Sequence, residues 1–230
     1  GYAVLVVNPF YRHAKSPILP ANVDPRAPEN WAKVRDLAGK LTPKTNVTDA
    51  KAFAAWIDKQ KSVDRKRKMA TMGYCMGGPM VIRTAAALPA RIGAAATFHS
   101  SALVTDKPDS PHLLIPKMKA SALIAIAEND DQKAPKEKDQ LRAAFLAAKL
   151  PSEVEVYAGA MHGWCPPDGR AYNEAQAEQD VAGGEDQADD EQVVDGRRRR
   201  RALQDHAGGE HRQHRQPGGG DEVARVARGL

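Results

Sequence analysis

Short apolar runs bounded by turn residues recur along most of the chain. Residues 1–10 contain one such run, and further runs lie at 69–73, 92–99, 122–127 and 153–159. A run of roughly four to eight apolar residues between turn signals is typical of a strand buried in a sheet. We therefore predict a strand at each of these places, with 92–99 and 122–127 buried on both faces.

Stretches with helical spacing lie between these runs. Phe53, Trp56 and Ile57 fall at positions i, i+3 and i+4, which predicts an amphipathic helix that begins near Thr48. Helical composition is also found in residues 79–88, 136–150 and 171–179. Strands that alternate with helices favour a sheet wound by right-handed crossovers. The predicted fold class is therefore α/β, a mostly parallel sheet with helices on both faces.

The chain divides into a folded part and a tail. Residues 1–178 carry the predicted strands and are expected to form one α/β domain, in which residues 12–45 make a long surface excursion rich in proline. Residues 179–230 contain few large apolar side chains and are expected to be disordered. A shifted reading frame in GC-rich coding sequence would explain such a tail, and a nucleic-acid-binding tail is the alternative.

Charge, cysteine content and the length of the apolar runs argue against a disulfide-stapled protein, a zinc-binding protein and a membrane protein. The formal net charge is +5, but the five arginines at 197–201 alone account for it. The two cysteines are too few for a disulfide framework and lie in no zinc-binding spacing. No apolar run approaches the ~20 residues that span a bilayer, and no basic leader precedes one. We therefore expect a soluble cytoplasmic protein that does not bind membranes.

The segment TMGYCMGG, residues 71–78, places Cys75 in a tight turn between a predicted strand and a predicted helix. The pattern GxCxG in this context matches the nucleophile elbow, usually written GxSxG. We expect glycine to be required at Gly73 and Gly77, because a Cβ there would collide as the chain reverses. The first N–H groups of the helix, chiefly that of Met76, favour a thiolate and hold a developing oxyanion. The alternative is a glycine-rich turn around an inert buried cysteine.

An acid and a histidine follow the cysteine in the chain order that a hydrolase of this architecture uses. Asp130 and Asp131 come directly after the run at 122–127, and His162 lies in a glycine-flanked loop after the last predicted strand. Taken singly, each aspartate fits a polar loop or a helix cap, and the histidine fits an exposed loop. Together they predict a catalytic site at the carboxyl edge of the sheet.

These residues resemble the dienelactone hydrolase family of the α/β-hydrolase superfamily. The resemblance runs from residue 1 to about 178 and is carried by VVNPFYR (6–12), MGYCMGG (72–78), AENDDQKAP (127–135) and YAGAMHGWCPPD (157–168). It implies an α/β-hydrolase fold that lacks its first strands, and thus an N-terminally truncated member. In the family, a loop upstream of these segments supplies a second oxyanion N–H and a glutamate partner for the thiol.

The resemblance implies a Cys-His-Asp triad that hydrolyses enol-lactones or related carboxylic esters through a thioester acyl-enzyme. It assigns Cys75 as the nucleophile and His162 as the base and then the acid. The family's aspartate usually lies four residues before a proline that opens the next helix, which selects Asp131 over Asp130. Cys165 is interpreted as a structural or bystander thiol.

The resemblance also suggests how substrate is bound. Arg12 matches one of the arginines that hold the substrate carboxylate in the family, whereas no arginine follows His162 to match the second. Trp164 and Tyr11 are candidates for lining a less polar pocket, although core packing is an equal alternative for Trp164. The expected partner is a small-molecule lactone or ester.

No cofactor and no metal are expected, because His99, His112 and His162 show no ligand spacing with carboxylates on one helix face. Two other hypotheses compete with an active hydrolase. One is a catalytically impaired truncated relative, and the other is nucleic-acid binding through the arginine-rich tail, which lacks a folded reader module. The oligomeric state is left open, with a monomer favoured.

Overall fold

A four-stranded parallel sheet forms the centre of the fold, with its strands side by side in chain order. The computed structural model describes residues 2–25 and 27–182. The strands are β1 (Met69–Tyr74), β2 (Ile92–Phe98), β3 (Ser121–Ala127) and β4 (Ser152–Tyr157). The helices are α1 (Pro28–Gly39), α2 (Pro43–Ile57), α3 (Gly78–Ala87), α4 (Glu128–Lys133), α5 (Glu137–Ala147) and α6 (Glu174–Ala182). The predicted α/β class is confirmed.

Successive residues of β3 pack on opposite faces of the sheet, since side chains alternate along a strand. Ile124 belongs to one buried cluster and Leu123 to another. The first cluster includes, from α3 and α5, Val81, Ile82, Leu141 and Phe145. The second includes Phe98, Tyr157, Ala160 and Trp164. Every residue of β3 is buried, as predicted for an interior strand of a parallel sheet.

The apolar run near the N-terminus does not form the predicted strand. Residues 2–8 take part in no strand pairing within the described ranges, and Val6 is 88% exposed. The run borders a surface cleft together with Phe53 and Trp56 of α2. A strand needs a neighbour to supply its ladder hydrogen bonds, whereas periodicity records only which residues are apolar. In the part of the chain that the structure describes, β1 pairs with β2 alone.

Helices occupy much of the region predicted as a surface excursion. The helix α1 lies within residues 12–45, and its weak pattern has a physical reason, since Leu37 is its one buried residue. The helix α2 begins earlier than predicted, at Pro43 instead of Thr48. Its start is fixed by a capping box, in which the Thr42 side chain accepts from the Thr45 N–H and the Thr45 hydroxyl accepts from the Thr42 N–H.

The last described helix, α6, crosses the boundary predicted between residues 178 and 179. The predictions for the tail fall on residues 183–230, which lie outside the described residues. None of the helices in the described ranges has both the length and the apolar character needed to cross a membrane.

Close backbone packing around the turn after β1 depends on two glycines. A Cβ on Gly73 would lie 2.9 Å from both the Gly77 carbonyl oxygen and a methyl group of Val81. A Cβ on Gly78 would lie 2.1 Å from Oγ and 2.3 Å from Cβ of Ser100. At Gly77 an added Cβ would meet nothing within 4 Å, so the expected need for glycine there is wrong. At Gly78 the start of α3 therefore packs directly against Ser100, two residues beyond the end of β2.

Replacing Gly78 by alanine should therefore destabilise the fold. Rotation of the Ser100 side chain cannot relieve the clash, because the Ser100 Cβ is fixed to the backbone, and overpacking of this kind costs about 1–3 kcal/mol. Gly77→Ala is the matched control, because Gly77 has a φ of −73° that alanine adopts readily. Urea unfolding measures both variants, and equal midpoints for the two would contradict this account.

Candidate active site

Cys75 occupies a strained turn at the carboxyl end of β1. Residues Cys75–Gly77 form a 3₁₀ turn that leads directly into α3, and Cys75 has a φ of +50°, in the left-handed region. A side chain with a Cβ adopts this conformation only where the surrounding structure imposes it. The half-buried sulfur is thereby turned out of the strand. This is the geometry predicted for a nucleophile elbow.

His162 reaches the cysteine from the loop that follows β4. Its Nε2 lies 3.2 Å from Sγ of Cys75, and its Nδ1 lies 2.6 Å from Oδ2 of Asp130. The two ring nitrogens are thus engaged on opposite sides of the ring, one by the sulfur and the other by the carboxylate. The Asp130 side chain is only 9% exposed, so the carboxylate is shielded from solvent, whereas the His162 side chain is 33% exposed.

The structure brings Asp130 against His162, whereas the sequence favoured Asp131. The two aspartates lie in the short helix α4 and not in a loop. Consecutive residues of a helix point about 100° apart, so the two carboxylates face different neighbours. The Asp131 carboxylate faces Lys138 of α5 instead, with Nζ at 2.7 and 2.8 Å from its two oxygens. Spacing from Pro135 could not distinguish the two, because it does not show where the helix begins.

The residues that precede Asp130 hold the histidine loop in place. Oε2 of Glu128 accepts a hydrogen bond from the Gly159 N–H at 2.6 Å, and Oδ1 of Asn129 accepts one from the His162 N–H at 2.8 Å. Sequence reasoning missed both residues. The signal that could have found them is the run of polar residues directly after a fully buried strand.

Electrostatic coupling changes the protonation of the cysteine and the histidine. The hydrogen bond with His162 is the main cause that lowers the pKa of Cys75 to about 6. The nearby His99 ring acts in the same direction, and the two together outweigh burial, which raises the pKa. The backbone N–H of Met76 lowers the same pKa further. The interaction with Cys75 in turn raises the pKa of His162 to about 9, and Asp130 contributes in the same direction. Between these values the pair is a thiolate and an imidazolium.

His99 is a third group at the site that sequence reasoning did not place there. It follows β2 directly, has a φ of +41°, and is 4% exposed. Its ring lies edge-on to His162, with centroids 4.8 Å apart, and edge-on to Trp164 at 5.3 Å. The Cys75 sulfur, one ring nitrogen of His99 and one ring nitrogen of His162 all lie within 4.8 Å of one another. A search for ligand spacing along one helix could not find this group, because each residue follows a different strand.

The expected substrate-binding residues lie in two different environments. Tyr11 and Arg12 are both held by Asp49 of α2, the Tyr11 hydroxyl at 2.9 Å from Oδ1 and the Arg12 Nε at 3.3 Å from Oδ2. Trp164 differs from the expectation of a pocket-lining residue, because it is fully buried and its ring stacks on Tyr157 at 5.3 Å. Cys165 packs against the same buried cluster as Trp164.

Comparison with known proteins agrees with this architecture. The model of the dienelactone hydrolase family matches residues 1–183. A structure of a protein assigned as a dienelactone hydrolase from Klebsiella pneumoniae subsp. pneumoniae MGH 78578 is 21% identical, with a TM-score of 0.55 over 64% of this chain and 62% of that one. The dienelactone hydrolase-like promiscuous phosphotriesterase P91 from metagenomic libraries is 20% identical, with a TM-score of 0.53 over 66% of this chain and 63% of that one. Such likeness shows a shared fold.

The chain spans less than two thirds of the length of these two structures, at 62% and 63%. No curated protein matches it.

The low pKa of Cys75 predicts its reactivity with alkylating reagents. In a Cys165→Ala background Cys75 is the remaining thiol, and its carbamidomethylation rate should fall as pH drops through about 6, where the thiolate is protonated. Adding His162→Ala removes the main cause of the shift, so the midpoint should move up towards the ordinary thiol value of about 8.5. Mass spectrometry gives both rates, and an unchanged midpoint in the double variant would contradict the coupling.

Proposed function

Because the chain belongs to the dienelactone hydrolase family, we propose that it hydrolyses enol-lactones or activated carboxylic esters, with Cys75 as the nucleophile, His162 as the proton carrier and Asp130 as the residue that positions His162. The observation that carries this proposal is the contact of 3.2 Å between Sγ and Nε2, with Asp130 on the other ring nitrogen. A thiolate and an imidazolium in contact form an activated nucleophile with its acid already in place.

In the first half of the proposed reaction, the Cys75 thiolate attacks the substrate carbonyl carbon. A C–S bond forms, the carbonyl electrons move to oxygen, and the Met76 N–H donates to the resulting oxyanion. As the C–O bond to the leaving group breaks, the proton on Nε2 of His162 passes to the departing oxygen. The products are a thioester on Cys75, a neutral imidazole and, for a lactone, a leaving group still tethered to the acyl chain.

The second half depends on the change in His162 that acylation causes. The thiolate is the largest cause of the raised pKa of His162, and it no longer exists in the thioester. The imidazole therefore stays neutral and takes a proton from water, which attacks the thioester carbonyl and expels the Cys75 thiolate. Asp130 holds the ring in the tautomer that presents Nε2 as the proton acceptor, because its carboxylate engages Nδ1.

The nucleophile itself limits the range of substrates. A thiolate leaves a tetrahedral adduct more readily than an alkoxide of high pKa does, so the adduct of a simple alkyl ester reverts. An enol or phenol leaves as a stabilised oxyanion and allows the adduct to go forward. Enol-lactones and activated esters are therefore the substrate class that suits a cysteine at this position.

We propose that Tyr11 and Arg12 bind the substrate. Their hydrogen-bond partner, Asp49, determines which substrates they prefer. Asp49 accepts hydrogen bonds from both side chains and compensates the charge of Arg12. A substrate carboxylate would have to compete with Asp49 for the guanidinium. The arrangement therefore favours uncharged lactones and esters over an anionic dienelactone. Trp164 is not included, because it is buried in the core.

The nucleophile can be tested with a chromogenic aryl ester. Cys75→Ala should abolish both ester hydrolysis and the acyl-enzyme mass increment seen on rapid quenching, because Cys75 is the thiol that contacts His162. Cys165→Ala should keep both, since that thiol packs against the buried cluster of the second sheet face. Full hydrolysis by the Cys75→Ala protein would overturn the mechanism.

The two aspartates give a second test. Asp130→Asn should lower kcat/KM by between about 10-fold and 10⁴-fold, because an amide no longer stabilises the imidazolium or fixes its tautomer. The alkaline limb of the pH profile should also move to lower pH, since Asp130 raises the pKa of His162. Asp131→Asn removes the ion pair with Lys138 but should leave both kcat/KM and the alkaline limb of the pH profile close to those of the parent. The opposite ranking would restore Asp131 as the partner of His162.

A further inference from the structure

Three soft donor groups converge at the carboxyl edge of the sheet. The Cys75 sulfur and one ring nitrogen each of His99 and His162 lie within 4.8 Å of one another. The proposed hydrolysis uses Cys75 and His162 and assigns no step to His99. A buried histidine beside the reacting sulfur therefore needs an explanation of its own.

His99 is a buried polar side chain packed between aromatic rings. It is 4% exposed, and neither ring nitrogen has a hydrogen-bond partner within the described ranges. The rings of Tyr74 and Trp164 flank it, at centroid distances of 5.8 and 5.3 Å. Buried polar groups are nearly always paired, because leaving one unpaired costs on the order of 1–3 kcal/mol. A ligand bound at the ring would supply the missing partner.

The donor set and its spacing suit a thiophilic divalent metal. Zn²⁺ takes thiolate sulfur at about 2.3 Å and imidazole nitrogen at about 2.1 Å in a tetrahedron, which places the donors about 3.4–3.6 Å apart. The distance of 3.2 Å between Sγ of Cys75 and Nε2 of His162 is already near this value. The donor atom of His99 lies at most 4.8 Å from the other two, so a movement of about 1 Å would bring it into place. Asp130 on Nδ1 of His162 is the usual outer partner of a zinc-bound imidazole.

We propose that Cys75, His99 and His162 form a three-ligand binding site for one Zn²⁺ ion, and that the bound ion blocks the nucleophile. Zinc forms bonds to Sγ and to one nitrogen of each imidazole, and Nε2 of His162 releases its proton to solvent. Cys75 and His162 are half-buried, so the ion can reach the site from solvent, and three protein ligands leave the fourth position of a tetrahedral ion to water. The metal-bound sulfur is then a much weaker nucleophile, and Nε2 can neither give a proton to a leaving group nor take one from water.

Direct metal titration tests the site without any substrate. Co²⁺ reports on such ligands, because a Co–thiolate bond gives a charge-transfer absorption and tetrahedral Co²⁺ gives intense visible bands. The full-length protein should bind one Co²⁺ with both signals, and Zn²⁺ should displace it. His99→Phe, which keeps an aromatic ring but removes both nitrogens, should weaken Zn²⁺ binding at least 10-fold, roughly the smallest effect of disturbing a zinc ligand's surroundings.

The controls are the exposed His13 and the second thiol. His13→Ala and Cys165→Ala should bind Co²⁺ and Zn²⁺ as the parent does, since neither residue belongs to the cluster. In the parent protein, Zn²⁺ should also protect Cys75 from alkylation by iodoacetamide, and EDTA should remove this protection. In the His99→Phe protein, Zn²⁺ should give little protection. If His99→Phe does not fold by circular dichroism, His99→Gln takes its place.

Two results would overturn the proposal. One is a parent protein that shows no thiolate absorption with Co²⁺, and the other is equal Zn²⁺ affinity in the parent and in the folded His99 variant. Neither depends on hydrolysis, so the two proposals fail separately. A protein that binds zinc but cleaves no ester refutes the proposed function alone, and an active esterase that binds no zinc refutes the site alone.

Discussion

The contact between Cys75 and His162 is the interaction on which the arrangement of the site depends. The cysteine follows β1 and the histidine follows β4, the two outer strands of the described sheet. Three inter-strand spacings separate such strands, which is about 14 Å. The loop after β4 must therefore cross above the ends of β3 and β2 to reach the sulfur. Every strand then contributes one group, and the group at the end of β2 is His99.

The helix α4 is what makes this crossing rigid. The helix starts immediately after β3, under the path of the loop. Three successive helix residues form hydrogen bonds to the loop: Glu128, Asn129 and Asp130. Two of these bonds go to backbone N–H groups and only the third goes to the imidazole ring. The ring is thus oriented by the same helical turn that fixes the position of its backbone. The raised pKa of His162 and the lowered pKa of Cys75 both follow from that placement.

Sequence patterns predicted the parts of the fold that local physics determines. Buried runs in β2 and β3, the glycine-rich turn at Cys75 and the histidine loop after β4 could be found, because burial on both faces and sharp chain reversal restrict composition locally. The run at residues 2–8 was predicted wrongly, since pairing with another strand is not a local property. That Asp130 and not Asp131 contacts His162 could not be predicted for a related reason, because a shift of one residue in where α4 begins changes which carboxylate faces the ring.

The strand order also determines when Cys75 becomes reactive during synthesis. His162 lies 87 residues after Cys75, and at roughly 5–20 residues per second a ribosome adds that length in about 4–17 seconds. During this interval the largest cause of the lowered thiol pKa does not yet exist. The main cause of the lowered thiol pKa is therefore present only once the loop after β4 has brought His162 to the sulfur.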